Sequence, residues 1–251
     1  MNVEAKQRVA LITGASRGIG AETALAAAKL GYAVSVNFAT DQDAANQVVA
    51  QLKSIGANAV AIGGDVSKAS EVAAIFDATE SRLGPVTALV NNAGITGPIG
   101  RFESVSTENL ERVLAINVLG TFLCSREALQ RHSKVGGLEV IVNVSSVAST
   151  TGSPGEYVHY AASKGAIDVF TVGLGKEVAP LGIRVCGVAP GSTFTEIHAK
   201  AGEPGRPERI APRIPMGRLA QPEEIAQAIA WLLTPSASYV TATVLKATGG
   251  L

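Results

Sequence analysis

RVALITGASRGIG, residues 8–20, joins an apolar, β-favouring run to a glycine-punctuated turn and the opening of an amphipathic pattern. The run RVALIT (8–13) is apolar at nearly every position, which suits a strand covered on both faces of a parallel sheet. Gly14, Gly18 and Gly20 then allow a tight turn and close backbone approach at the start of the next helix. Free N–H groups and the helix dipole favour a pyrophosphate at such a place. The spacing is GxxxGxG rather than GxGxxG, so the position directly after a first strand carries the reading. A glycine turn needed only for packing is the alternative.

The same alternation continues outward. AVSVN (33–37), NAVAIGGD (58–65), TALVN (87–91), LEVIVNV (138–144), IRVCGV (183–188) and TATVLKA (241–247) read as strands. Between the early ones lie the helical patterns GAETALAAAKLG, DAANQVVAQLKSIG and SEVAAIFDATESRLG, each ending on a glycine, Gly31, Gly56 and Gly84, placed for a left-handed helix stop. Longer helices are expected over 107–131 and 156–179. Strand–helix alternation predicts right-handed crossovers and a single-domain α/β fold, a doubly wound parallel sheet with helices on both faces. Ser192–Met216 departs from this rhythm: it is rich in Pro, Gly and Arg, and an irregular connection of that length is expected to be a substrate lid.

Composition excludes other classes. The 251 residues are 47% hydrophobic and carry 21 basic and 21 acidic side chains, enough for one core and without the positive excess that nucleic-acid binding needs. No run of about 18 apolar residues predicts a membrane span, and the polar start MNVEAKQR carries no secretory pattern. The two cysteines, Cys124 and Cys186, read as reduced packing residues, and a reducing, cytoplasmic setting is expected. The histidines His132, His159 and His198 lack metal-ligand spacing, and no metal is expected.

Arg17 and the end of the second strand bear on the cofactor. Asn37-Phe38-Ala39-Thr40 contains no acid to hold a ribose 2′-hydroxyl; Arg17 can pair with a 2′-phosphate and Thr40 can donate to it. NADP(H) is therefore expected over NAD(H), with Arg17 as a solvated surface charge the alternative.

Tyr160 and Lys164 are four apart and share a helix face. A neighbouring ammonium is expected to lower the phenol from its usual value near about 10, towards useful proton exchange. YxxxK alone is common on surfaces. Its company makes the difference: VNVSS (142–146) brings hydroxyls to a strand end, NNAG (91–94) closes the fourth strand, and Asn117 sits mid-helix in LAINVLG. These groups map to the carboxyl ends of strands, where open α/β sheets bind ligands.

Taken in order, TGASRGIG, Asp65-Val66, NNAG, Asn117, VSS, YAASK and VAPG (188–191) resemble the short-chain dehydrogenase/reductase family along essentially the whole chain. The resemblance implies a Rossmann-like fold of about seven parallel strands and reversible hydride transfer between NADP(H) and a carbonyl/alcohol carbon of a small molecule. It implies Tyr160 as acid/base, Lys164 lowering its pKa, Ser146 orienting the carbonyl, and Asn117 holding a relay water. Cofactor contacts would run along Gly14, Ser16, Arg17, Gly18, Ile19 and Gly20, then Asn37–Thr40, Asp65, Val66, Asn91, Ala93, Gly94, Tyr160, Lys164, Pro190, Gly191, Thr193 and Thr195. The long helices resemble those that pair subunits, implying a homotetramer. A 3-oxoacyl-carrier-protein reductase is the rival activity and needs a basic patch beside the site. A non-catalytic nucleotide-binding regulator is the rival of another class, which the intact Asn117, Tyr160 and Lys164 disfavour.

Two departures from the family pattern stand out. The Ser146-to-Tyr160 gap is one residue longer than usual; a strict count lands on Val147, so Ser146 is taken, with Ser145 as fallback. The last strand carries Ala242 and Lys246 where the family often has glycine and an acid or amide. Tyr157 reads as packing or substrate contact, His198 as a substrate contact or a solvated loop histidine. Arg206, Arg209 and Arg213 read as a solvated face or a greeting for an anionic substrate.

Overall fold

A computed structural model describes residues 7–251, except for the side chains of His198 and Lys200, so the polar start at 1–6 and the His198 side chain lie outside the described residues. In chain order the elements are β1 (Val9–Ile12), α1 (Gly18–Lys29), β2 (Ala33–Phe38), α2 (Gln42–Ser54), β3 (Ala59–Gly63), α3 (Ala69–Leu83) and β4 (Ala88–Asn91). Then follow α4 (Thr107–Leu114), a π turn (Ala115–Leu119), α5 (Gly120–Val135), β5 (Val140–Val144), α6 (Ala148–Thr151), α7 (Val158–Val178) and β6 (Arg184–Pro190). The chain continues through α8 (Ile197–Lys200), α9 (Arg206–Ile210), α10 (Pro222–Leu232) and β7 (Thr243–Ala247).

All seven strands are parallel, in the order β3-β2-β1-β4-β5-β6-β7. The order reverses between β1 and β4, the place where open α/β sheets bind ligands at their carboxyl edge. Successive strand residues feed two cores: Ala10, Ile12, Val34, Val36, Val90 and Val142 pack with α1, α2 and α10. Leu11, Leu89, Ile141 and Val185 pack with α3, α5 and α7 on the other face. This is the pleat's alternation expressed with apolar residues on both sides, and it explains why the strands read as unbroken hydrophobic runs. Gly31, Gly56 and Gly84 all lie at positive φ after their helices.

The segment 192–216 is less irregular than its composition suggests, since it folds into α8, α9 and a 3-10 turn at Ala211–Arg213. It is seated by its own small apolar cluster of Ile210, Ile214 and Leu219, and by Met216 N donating to Gly249 O at 3.0 Å. Both cysteines are free and buried, and burial pushes the Cys124 thiol up to about 12, which makes it inert.

Ala242, expected within the last strand, instead lies just before β7 with φ +54°, a left-handed conformation that costs an L side chain about 1 kcal/mol. Its backbone lies against α7, where a Cβ on Gly175 would come within 2.7 Å of the Ala242 Cα. Ala242→Gly is expected to relieve the strain and raise Tm by about 2–4 °C, read by calorimetry; an unchanged or lower Tm would count against strain at this position.

Candidate active site

β1 delivers the chain into Thr13–Gly20, and the neighbouring β4 delivers NNAG beside it. The two are stapled by side chains: Thr13 Oγ1 accepts from the Asn92 and Ala93 N–H groups at 3.0 and 3.1 Å, and Asn92 Nδ2 donates to the Thr13 and Gly14 carbonyls at 2.9 and 3.0 Å. A Cβ at Gly20 would lie 2.6 Å from the Gly14 oxygen, and one at Gly14 2.9 Å from the Ala93 Cα, so both positions must lack a side chain. No side chain caps α1, whose first-turn N–H groups face this cradle. Thr195, arriving from β6, closes over it, with its Cγ2 3.3 Å from where a Gly18 Cβ would stand. Gly191 lies so close to Thr248 that a Cβ would meet its carbonyl at 2.7 Å, and Thr193 is buried with its hydroxyl on the Gly191 carbonyl. Ser16 is half-buried in the loop, while Ile19 turns its side chain into the first core and Ala93 packs on the second.

Beside the loop, Arg17, Thr40, Asp41, Gln42 and Asp43 line a polar cleft of about 600 Å³. Arg17 is not a bare cation. Its Nη2 meets Asp41 Oδ2 at 2.6 Å and its Nη1 meets Glu196 Oε2 at 3.0 Å. Two of the expected cofactor contacts have side chains that turn inward. Asn37 is 1% exposed, with its Nδ2 on the Ile62 and Gly64 carbonyls, and Asn91 is 4% exposed, with its Nδ2 on Ser125 Oγ and Asn143 Oδ1. Both side chains are turned into the protein, Asn37 Oδ1 also accepting from Gly14 N at 3.4 Å and Asn91 Oδ1 left buried without a partner. Phe38 rests its ring against Gly63. At the end of β3, burial works against the Asp65 carboxylate, but hydrogen bonds from the Ser67 N–H and hydroxyl outweigh it and hold the carboxyl below its ordinary value. Val66 packs on Gly120.

The second part of the site is carried by β5, the π turn and α7. The expected single helix over 107–131 is broken by the π turn, which faces Asn117 inward and fully buries it. Asn117 Oδ1 accepts from Ile95 N and its Nδ2 donates to Ile95 O, both at 2.9 Å, with a further bond to Ser163 Oγ at 3.0 Å. Ser146 Oγ accepts from Ala148 N at 3.1 Å, and its hydroxyl stands beside the Tyr160 phenol, close enough to pull the phenol down. Ser145 is buried and turned away, its hydroxyl donating to the Lys164 carbonyl at 3.3 Å. Ser146 rather than Ser145 thus faces Tyr160, and α6 and the turn through Gly152 lie between the two in the chain. Lys164 donates to the Val144 carbonyl at 2.7 Å, and its Nζ and Asn117 Oδ1 flank the same face of Gly94, at 3.4 and 3.3 Å from a Cβ placed there.

The electrostatics correct one expectation. Burial pushes the Tyr160 phenol above its ordinary value, with the Ser146 hydrogen bond working against that rise. The ammonium does not overcome it, because Lys164 Nζ stands 5.8 Å from the ring centroid and is directed at a main-chain carbonyl. Lys164 is the strongly shifted member: burial brings it down to about 8, with Asp168 opposing.

Around the site, Tyr157 lies edge-on to Tyr160 at 6.4 Å under the Arg206 guanidinium, and its hydroxyl is buried without a hydrogen-bond partner. Arg206 and Arg209 both pair with Glu156 at 2.7 Å, and Arg209 also pairs with Glu203, so their charge is largely answered within the protein. Arg213 is exposed. His159 holds the Thr96 carbonyl at 2.9 Å, and His132 accepts from Leu138 N. The functions of Asn92, Ser163 and His159 as clamps were not anticipated; Asn92 and Ser163 lie inside the quoted motifs, and only their partners were hidden. Among the described residues no cluster of His, Cys, Asp or Glu could hold a metal ion, and no helix is long and apolar enough to cross a membrane.

A family model described as Enoyl-(Acyl carrier protein) reductase matches residues 14–251. The chain is 51% identical over 244 residues to Uncharacterized oxidoreductase YgfF of Escherichia coli (strain K12), covering 96% of this chain and 99% of that one. It is 38% identical over 247 residues to a 3-oxoacyl-[acyl-carrier-protein] reductase of Synechocystis, covering 97% and 96%. A short chain dehydrogenase from Burkholderia cenocepacia J2315, solved in complex with NADP, superposes with a TM-score of 0.89 at 29% identity, covering 97% of each chain.

Lys164 also sets a stability window. Below about pH 8 the amine is charged in folded and unfolded chains alike, so the penalty for burying it is fully present. Between about 8 and the ordinary 10.5 the unfolded chain binds the extra proton, so stability rises with pH; above that it levels off. Lys164→Met is expected to flatten this rise in urea unfolding followed from about pH 7 to about pH 11, and identical slopes in the two proteins would rule it out.

Proposed function

The chain belongs to the short-chain dehydrogenase/reductase family, and on that premise we propose that it is an NADP(H)-dependent oxidoreductase acting on a carbonyl/alcohol carbon, with Tyr160 as its acid/base. The observation that carries this reading is the gathering of Ser146, Tyr160, Lys164 and Asn117 at one strand end: Lys164 Nζ lies 5.8 Å from the Tyr160 ring centroid, and Lys164 and Asn117 flank Gly94. The two hydroxyls would together hold a substrate carbonyl oxygen. In reduction Tyr160 gives that oxygen its proton; in oxidation it takes the proton back. Lys164, at about 8, can both hold and release a proton at neutral pH, which suits it to resupply the phenol. Asn117 and Lys164 flank Gly94, the place for a relay water.

The residues present fit a dinucleotide: the glycine cradle leaves no room for side chains, α1 presents its N–H groups, and Arg17 and Thr40 line a cleft suited to a 2′-phosphate. When bound, the nicotinamide supplies or receives the hydride. NADP is the cofactor named for the Burkholderia structure, in keeping with this choice. Reduction is the expected direction with NADPH as donor. The segment 192–216, which follows β6 and is tied to Glu156 through Arg206 and Arg209, would serve as the lid.

A 3-oxoacyl-carrier-protein reductase is the second reading, favoured by the Synechocystis relative. Against it, Arg206 and Arg209 are neutralised by Glu156 and Glu203, which weakens the positive field an acidic carrier would need at the lid. A tetramer would cover the apolar face where Phe122 and Phe170 meet at 4.3 Å beside the exposed Val169, and light scattering reads its mass. The two buried, unpaired thiols suit a reducing cytoplasm.

The test is NADPH absorbance over a panel of ketones, aldehydes, sugars and 3-oxoacyl thioesters. Tyr160→Phe is expected to lower kcat by at least about 100-fold with cofactor affinity kept; retained turnover would remove Tyr160 as the acid. Wild-type protein is expected to bind NADPH more tightly than NADH, and the reverse order would refute the cofactor assignment.

A further inference from the structure

Tyr157 is 4% exposed, and its hydroxyl is buried with no hydrogen-bond partner among the described residues. Packing accounts for the ring but not for the oxygen. The ring lies edge-on to Tyr160 at 6.4 Å and carries the Arg206 guanidinium 5.3 Å from its centroid, and phenylalanine would make both contacts. A buried hydroxyl left unpaired costs stability, so its presence needs a reason outside the folded chain. Burial raises this phenol above its ordinary value, with Arg206 opposing, so it stays protonated and can both donate and accept.

Its surroundings supply that reason. Tyr157 is the N-cap residue of α7, three before Tyr160. Glu156 beside it joins three segments. Its carboxylate takes Arg206 and Arg209 of the 192–216 segment at 2.7 Å each, and its carbonyl accepts from Gly100 N at 3.1 Å. Ile99 N donates to Ala201 O at 3.0 Å, which joins the chain after β4 to the 192–216 segment directly. Tyr157 thus borders the acid/base, the proposed lid and the loop that follows β4.

We propose that Tyr157 is a specificity-determining residue whose hydroxyl bonds a second oxygen of the substrate, so that the protein takes carbonyl compounds bearing a hydroxyl or oxo group close to the reacting carbon. The proposal rests on the reading of Tyr160 as acid/base. Two phenols whose rings are 6.4 Å apart can be bridged by a molecule with its two oxygens a few bonds from each other. A substrate hydroxyl can donate to the Tyr157 oxygen or accept from it, and an oxo group can accept. A plain alkyl ketone offers neither and leaves the Tyr157 hydroxyl as unpaired in the complex as it is in the free protein. Discrimination then comes from a buried polar group that only the oxygenated substrate satisfies.

The experiment measures kcat and KM with NADPH for the full-length wild type and Tyr157→Phe on two matched pairs, hydroxyacetone against acetone and glyceraldehyde against propanal. Wild type is expected to favour the oxygenated member of at least one pair. Tyr157→Phe is expected to lower kcat/KM for that member about tenfold more than for its plain partner, mainly through KM. Calorimetry adds a reading that a merely structural hydroxyl would move the other way: Tm should hold or rise in Tyr157→Phe, because an unpaired buried hydroxyl is removed. A wild type that turns over neither oxygenated member faster than its plain partner would overturn the proposal. So would equal losses within the pair, no loss in the variant, or a lower Tm, which would mean that the hydroxyl already has a partner inside the protein. Turnover retained in Tyr160→Phe would instead refute the acid/base reading itself, so the two failures are distinguishable.

Discussion

The Asn117 carboxamide bonds Ile95 as an adjacent strand would, accepting from its N–H and donating to its carbonyl. The chain leaving β4 has no neighbouring strand at that height, and its peptide groups would otherwise be buried without partners. One side chain supplies both bonds and, through Ser163, fixes the distance to α7. The helix gives up its regular pitch for this, since the π turn is what brings Asn117 to the strand end. Gly94, Lys164 and Tyr160 then take their places around a main chain that cannot drift.

That constraint explains why the electrostatics are arranged as they are. Lys164 lies in a closed layer, its ammonium on a main-chain carbonyl, and burial accounts for its fall to about 8. Tyr160 stays protonated in the same surroundings, because burial outweighs the opposing pull of Ser146. A protonated phenol beside an amine close to neutrality is a donor with a supply behind it. The ordering comes from desolvation, with the Tyr160–Lys164 distance setting how weakly the two interact.

Much of this was legible in the chain. Unbroken apolar runs announced a sheet covered on both faces, and the glycines of TGASRGIG announced a cradle, because each depends on local sequence alone. The choice between Ser145 and Ser146 could not be counted out, since it depends on how α6 and Gly152 absorb a residue. Asn37 and Asn91 sit at the strand ends that face the crevice, and only side-chain direction shows that they point inward. The partners of Arg17 were hidden for a different reason: Glu196 is 179 residues away in sequence. The helix over 107–131 was read through its π turn because the periodicity of AINVL gives no sign of the extra residue.

The buried amides of Asn91 and Asn143 bear on how the chain finds this arrangement. They are register partners across β4 and β5, and a chain of bonds runs from Ser125 through both to Thr171. Around them Ala88, Leu89 and Val90 face Val140, Ile141 and Val142, residues greasy on either side of the sheet. Such strands could slide by one place at little hydrophobic cost, because neither face is marked as outer. Sliding would carry each amide across to the opposite apolar layer and strip it of partners there. Two asparagines therefore act as a detent in the centre of the sheet, selecting one alignment among several that oil alone would accept.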